Sequence, residues 1–344
     1  MLKFILTLIV TINIIAADCQ DLSSNIFFDN QLNVNPAFTG TFSNQTLDQE
    51  EYLNTKRIIN ICTINKWSGS QSPYTSGFAT FLWRLSSFNM DNPDGLIPEV
   101  PFSISLTGMY DKSMLGIMKS TYVSLSSSYH QSLTGDNDNN RMSLGIGFSA
   151  TYSNRVADLN NISFSEQFQS GGFDLTLPNG EYTMNDMKSY VSLASGLLFS
   201  LNNGYNKLRL GVSCLNFNRP KNSYNNNQFN VIPFRYTTNL LYNHVNRGLT
   251  YSYDLYSNFQ QQAGVKLISI GGMINKFIID QNESINRLSL GLGCNYQSNK
   301  TLTPCLRLQA HKYQVTATYD VLTDKESGEL SKTKSYGIFF QYLF

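Results

Sequence analysis

The 344 residues carry 25 basic and 24 acidic side chains for a formal net charge of +1, so no cationic surplus exists to neutralise nucleic-acid phosphates. Only 14% of residues are charged, well under the ~25% of soluble domains, while 13% are aromatic, with 20 Tyr and 22 Phe. That mixture is too apolar for disorder, and beyond Ile15 no run approaches the ~20 apolar residues of a spanning helix, so a chain of this kind meets a membrane with strands.

At the N-terminus, Met1 and Lys3 precede an apolar run from Phe4 to Ile15, followed by Ala16, Ala17, Asp18 and Cys19 before the chain turns polar at Gln20. This is the layout of a secretory signal peptide over residues 1–19, with cleavage after Cys19 placing Ala17 and Cys19 at the two small-residue positions. Asp18 argues against a lipoprotein reading of Cys19, since a small residue is expected just before a lipidated cysteine. Residues 20–56 are then an N-terminal cap or plug segment, and residues 57–344 a single β domain.

Membrane strands facing lipid on one side and a polar interior on the other alternate apolar with small or polar residues over ~10 positions. From Met142, one set reads Met142, Leu144, Ile146, Phe148, Ala150 and Tyr152, and the other reads Ser143, Gly145, Gly147, Ser149, Thr151 and Ser153. From Leu288, leucines at 288, 290 and 292 with Cys294 and Tyr296 alternate with Ser289, Gly291, Gly293, Asn295 and Gln297. A helix repeats its face every ~3.6 residues and is weakened by glycine, so neither segment suits one.

Comparable alternation marks residues 57–67, 74–83, 102–110, 121–132, 189–200, 207–217, 234–243, 248–256, 262–279, 302–311, 313–321 and 335–344, the 262–279 stretch reading as one strand or two. The expectation is an all-β transmembrane antiparallel barrel of about fourteen strands, an even number as bacterial single-chain barrels require. Many segments begin or end in Tyr, Phe or Trp, as an interfacial girdle demands. Polar Gly/Asp/Asn/Ser stretches at 135–140 and 221–230 read as connections. The irregular stretch 154–186 reads as either a partner-contacting loop or plug, or a solvated surface loop. At the C-terminus, Tyr336, Ile338, Phe340, Tyr342 and Phe344 alternate up to a terminal aromatic, resembling the last-strand signal by which outer-membrane barrels are recognised and inserted.

Reaction chemistry is thinly supplied. His130, His244 and His311 fall in different segments without ligand spacing, and Cys62, Cys214, Cys294 and Cys305 are too scattered for a zinc pair. Small apolar packing is the expected role of these cysteines. A Cys294–Cys305 bridge across neighbouring strands is the one pairing to consider, and the narrow geometry of disulfides argues against it. Gly145-Ile146-Gly147 and Gly291-Leu292-Gly293 lie inside strands, where a dinucleotide loop would instead open a helix. No cofactor, metal site or catalytic group is expected.

After the leader stands Phe28-Asp29-Asn30-Gln31-Leu32-Asn33-Val34-Asn35-Pro36-Ala37-Phe38-Thr39-Gly40. Its Asn35, Pro36, Ala37, Phe38 and Gly40 resemble the motif that precedes the first barrel strand in the PorP/SprF family of type IX secretion membrane proteins. Pro36 blocks a strand and Gly40 permits a tight turn, so the string suits a compact cap or plug edge. Asn65-Lys66-Trp67 with Ser72-Pro73 resembles the family's Gln-Trp element, residues 122–130 and 141–152 its central hairpin, and Leu215-Asn216-Phe217-Asn218-Arg219-Pro220 its Leu-Asn-Arg-Pro strand end. Gln260-Gln261 and the closing Tyr319-Asp320-Val321 and 336–342 follow in the family's order. Two departures stand out: a polar insertion over 41–56, and Asn65-Lys66-Trp67 in place of Arg-x-Gln-Trp.

The resemblance implies a non-catalytic outer-membrane barrel that supports type IX secretion. Its implied partners are the secretion machinery, outer-membrane lipid and a cargo protein with a C-terminal targeting domain, gliding adhesins among the expected cargo. The other reading is a passive porin, whose polar lumen would take charge from Arg209, Arg307 and Lys266.

Overall fold

The computed structural model describes residues 31–41, 56–70, 73–85, 102–113, 116–133, 141–157, 165–174, 176–177, 189–221, 231–246, 250–279, 287–323 and 334–344. The leader expected over 1–19, the turn at 135–140 and nearly all of the 41–56 insertion lie outside these residues. Strands β1 (Arg57–Ser68), β2 (Tyr74–Leu85), β3 (Phe102–Ser113), β4 (Met118–Ser132) and β5 (Arg141–Ala157) are followed by a short hairpin, β6 (Phe168–Gln169) and β7 (Gly172–Phe173). The remainder are β8 (Tyr190–Asn202), β9 (Asn206–Leu215), β10 (Arg235–Val245), β11 (Tyr251–Gln262), β12 (Val265–Ile279), β13 (Arg287–Gln297), β14 (Thr301–Ala310), β15 (Tyr313–Leu322) and β16 (Lys334–Leu343).

All except β6 and β7 form one closed antiparallel barrel of fourteen strands, each paired with its chain neighbours, β5 with β8, and β1 with β16. Closure runs from Ile58 opposite Leu343 to Ser68 opposite Lys334 and is extended by mutual backbone bonds between Arg57 and Phe344. A bulge between Asn65 and Ser68 breaks the register where Trp67 takes a left-handed φ of 55°. The 262–279 stretch is one strand preceded by a turn: Ala263 and Gly264, at φ 49° and 85°, link β11 to β12, so Gln262 ends one strand and Val265 begins the next. That turn moves β11 to Tyr251–Gln262, later than the 248–256 expected. Four residues expected to begin a loop, 154–157, continue β5.

Side-chain facing follows the alternation. In β13, Leu288, Leu290, Leu292 and Tyr296 are exposed while Ser289, Gly291, Asn295 and Gln297 are buried, and in β5 Leu144, Ile146 and Phe148 face out against buried Gly145 and Gly147. On β16, Tyr336, Ile338 and Phe344 are exposed and Phe340 and Tyr342 half-buried, whereas Ser335, Phe339, Gln341 and Leu343 are buried. Cys294 lies opposite Pro304 and Cys305 opposite Gly293, which puts the two sulfurs on opposite faces and rules out the bridge; none of the four described cysteines is in a disulfide. Lys266 shares the outward parity of Ile268 and Ile270, so it does not line the lumen.

The inner wall has two characters. Near the closing strands it is apolar: Ile58, Leu82 and Leu343 form one cluster, and Cys62, Ile64, Phe78 and Phe339 another. Across β9–β14 it is a polar network centred on Asp254, which lies 3.5 Å from Arg307 and accepts from Asn243 Nδ2 at 2.7 Å and Asn275 Nδ2 at 3.3 Å. Arg209 Nη2 donates to Asn243 Oδ1 at 3.0 Å, and Arg209 and Arg307 are each only 1% exposed. Burial this deep demands partners, and Arg307 has the Asp254 carboxylate while Arg209 has the Asn243 amide oxygen.

Two stability measurements test this. Leu292, 63% exposed at the middle of β13, should cost about 2–4 kcal/mol when replaced by Arg, read as folded fraction in urea with phospholipid vesicles. Arg307→Met removes a cation 3.5 Å from the buried Asp254 and should cost about 3–5 kcal/mol in the same titration, with part recovered by adding Asp254→Asn.

Candidate functional site

Residues 31–41 lie against the inner wall of the barrel. Gln31 O accepts from the amides of Val34 and Asn35, both at 3.1 Å, and a 3₁₀ turn follows at Pro36–Phe38. Asn35 is its cap: extended at φ −151°, it accepts from Ala37 N–H through Oδ1 at 2.9 Å. Pro36 fits the first position of such a turn because its missing N–H would have had no partner there. Gly40, at φ 82°, ends it, in the left-handed region that costs a glycine nothing.

The wall satisfies most of the backbone and side-chain groups that Asn33, Val34, Asn35 and Thr39 turn towards it. Asn35 Nδ2 donates to Leu197 O at 3.1 Å and to Val212 O at 3.3 Å, reaching carbonyls of both β8 and β9. Val34 O accepts from Ser213 Oγ at 2.7 Å and Thr237 Oγ1 at 3.0 Å, and Thr39 O accepts from Ser128 Oγ at 2.5 Å. The Arg235 guanidinium donates to Asn33 O at 3.4 Å. Asn35, Ala37 and Phe38 are 0% exposed, Ala37 and Phe38 packing among Leu198, Leu241, Tyr256 and Met273. Arg209 stands 5.9 Å from the Phe38 ring centroid, a cation–π distance. Burying Phe38 alone contributes roughly 1.5–3 kcal/mol.

Two inward glycines make room for the segment. A Cβ on Gly196 would fall 1.9 Å from Asn35 Oδ1, and one on Gly147 would fall 2.3 Å from Ala37 N. No rotamer change relieves the second clash, since the obstacle is backbone.

Beside the seat is a cavity of about 120 Å³. Thr107, Ser124, Ser126, Ser149, Thr151 and Ser153 line one side, and Leu32, Asn33 and Pro36 of the inserted segment line another. The contributing residues of β5, β8, β9 and β10 lie at the strand ends remote from the Arg57–Phe344 closure, where the long connections 158–189 and 216–234 emerge. Among the described residues, Arg235 is the one charged residue in the lining.

The signature residues separate into groups. Asn35, Pro36, Ala37, Phe38 and Gly40 act together in the seat. Trp67 sits at the β1 bulge, its backbone amide donating to Ser335 Oγ at 3.0 Å and its ring 6.4 Å from that of Tyr74. Asn218 extends the sheet beyond β9: its Nδ2 donates to Val191 O at 2.7 Å and its Oδ1 accepts from Leu193 N–H at 3.0 Å, as a paired strand residue would. Arg219, at φ 46°, lies 5.9 Å over the Phe234 ring, and buried Pro220 accepts from Ile232 N–H at 2.9 Å. Tyr336, Ile338, Phe340, Tyr342 and Phe344 take no part in the seat, being on the outward parity of β16. Sequence reasoning placed Arg209 in the lumen but missed Ser128, Ser213, Thr237 and the cavity; the inward parity of Gly147 and Gly196 was the signal that could have located the seat.

Among the described residues, no three His, Cys, Asp or Glu side chains converge as metal ligands. The hairpin in the 158–189 connection is held by Asp174 N–H donating to Gln167 O at 2.8 Å, and its Phe168 and Phe173 rings meet edge-on at 5.1 Å. The Thr176 hydroxyl and amide hold the exposed Asp174 carboxyl below the usual carboxylate range.

Gly196→Val should expel the segment without unfolding the barrel. The expected result is new protease cleavage near residues 31–41 and a stepwise conductance in planar bilayers that the parent protein lacks.

Several solved structures are similar to this chain. The TodX deltaS2S3 mutant, a monoaromatic hydrocarbon channel, is 10% identical with a TM-score of 0.44, over 94% of this chain and 95% of that one. A FadL homologue from Pseudomonas aeruginosa is 10% identical with a TM-score of 0.39, over 90% and 97% respectively. CdiB from Acinetobacter baumannii is 8% identical with a TM-score of 0.39, over 84% of this chain, which spans 60% of the length of CdiB. No curated protein matches the chain. The family model for the type IX secretion system membrane protein PorP/SprF matches residues 16–342, and the chain, an outer-membrane β-barrel, belongs to that family.

Proposed function

We propose that this barrel holds type IX cargo at the outer membrane, recognising the cargo's C-terminal targeting domain through its rim and the adjoining cavity, and that it does so without catalysis or cofactor. Family membership supports the link to secretion; the observation that carries the docking role is the inserted 31–41 segment with its 0% exposed Asn35 and Phe38. A passive porin needs accessible charge in an open lumen, whereas Arg209 and Arg307 are each 1% exposed and held by side-chain partners. Longer connections of outer-membrane barrels face the exterior, which favours cargo meeting the rim where 158–189 and 216–234 emerge. Gliding adhesins are the cargo class that the resemblance implies.

The same reading assigns residues 1–19 to a cleaved leader, 20–56 to the plug and 57–344 to the barrel. It gives Asn35, Pro36, Ala37, Phe38 and Gly40 the seating role, Trp67, Asn218, Arg219 and Pro220 the shaping of the rim, and Tyr336, Ile338, Phe340, Tyr342 and Phe344 the insertion signal.

Deleting the gene should abolish surface display of a type IX cargo protein while its intracellular synthesis continues, and the cargo's targeting domain should co-purify with the tagged barrel. Normal display in the deletion strain, with no targeting domain captured, would overturn the proposal.

A further inference from the structure

The cavity beside the inserted segment has a chemistry that selects its occupant. Its hydroxyl side is built from cross-strand pairs, Ser126 opposite Ser149 and Ser124 opposite Thr151, with Thr151 Oγ1 donating to Ser124 Oγ at 2.9 Å. Nothing larger than threonine projects from these four positions, so the space is kept open by the sequence and is lined with groups that both donate and accept. Along β5, Ser149, Thr151 and Ser153 recur at every second residue, a repeat of about 6.7 Å in extended chain, which is also the repeat of same-side backbone groups in an extended peptide. A sugar has no such commensurate repeat.

Charge fixes the polarity of that peptide. Among the described residues, Arg235 lines the cavity and no Asp or Glu does. Asn33, which also lines it, has a buried Nδ2 without a hydrogen-bond partner among the described residues. Two nitrogen donors beside the inserted segment, with no acid to oppose them, suit an anionic group. Because Leu32, Asn33 and Pro36 line the side towards the segment, a chain coming from the mouth meets them end-on.

We infer that the cavity receives the C-terminal carboxylate of an extended polypeptide, Arg235 and Asn33 donating to the carboxylate and the hydroxyls of β4 and β5 to the preceding peptide groups. This deepens the cargo-holding reading and rests on it. An Arg–carboxylate contact supplies charge-assisted bonds that an amidated end cannot match.

The test uses the full chain purified in detergent and immobilised, probed with a random peptide library of about ten residues synthesised once with free carboxyl ends and once amidated. Retention of the free-acid library is expected to exceed the amidated one by at least ~10-fold, the ratio that one charge-assisted bond provides. Arg235→Gln should erase that difference, with the heat-dependent gel mobility of a folded barrel as control. Should Arg235→Gln fail to fold, Ser124→Ala with Thr151→Val supplies the second variant and should lower free-acid retention. Equal retention of the two libraries, undiminished preference in the folded variants, or retention of a neutral glucan oligosaccharide in place of peptide overturns the inference. None of these readouts involves surface display, so the inference and the secretion reading fail separately.

Discussion

Hydrocarbon offers no partner to a backbone amide, so every strand in a membrane must find both its neighbours within the protein. Thirteen of the pairings here join strands that follow one another around the barrel, and the whole arrangement depends on the remaining one, between β1 and β16. That pairing joins residues almost as far apart as the chain allows, Ile58 with Leu343, and gains nothing from a connecting turn. Its side chains supply what connectivity does not. Outside, Tyr342 stacks on Phe344 at 5.4 Å and Phe81 lies 6.5 Å from the same ring; inside, Ile58, Leu82 and Leu343 bury together.

The closing strands therefore break the two-sided rule that governs the rest of the molecule. In β13 the alternation is clean enough that each residue's face could be read from the sequence, because lipid rewards leucine on one side and a packed polar interior tolerates only small or amide side chains on the other. In β1 both parities carry isoleucine, and periodicity alone says little about which face is which. The fourteen strands were legible because lipid imposes the same period everywhere. The Ala263–Gly264 turn was not, since alanine at positive φ carries no compositional mark and the flanking Gln-rich residues resemble strand and loop equally. Lys266 misled for a related reason: a lysine at a strand end can stand on the outward parity, where the lipid headgroups begin.

The candidate site was partly legible. The string from Asn35 to Gly40 was identified by resemblance and by the physics of Pro and Gly, which suffice for a compact turn. Its place inside the barrel could not be read from the string, because that place is defined by residues more than a hundred positions away: Gly147 and Gly196 by what they lack, Ser213 and Thr237 by the carbonyl they meet. A glycine on the inward parity reads as a generic small residue until its neighbour is known. The cavity is subtler still, being the volume that a set of serines leaves unfilled.

Leu32 packs both against the cluster around Phe38 and against Ile58, Leu82 and Leu343 where the first and last strands meet. One leucine thus couples the occupant of the interior to the join of the wall that surrounds it. Loosening the segment would therefore be felt at the seam, and loosening the seam at the segment.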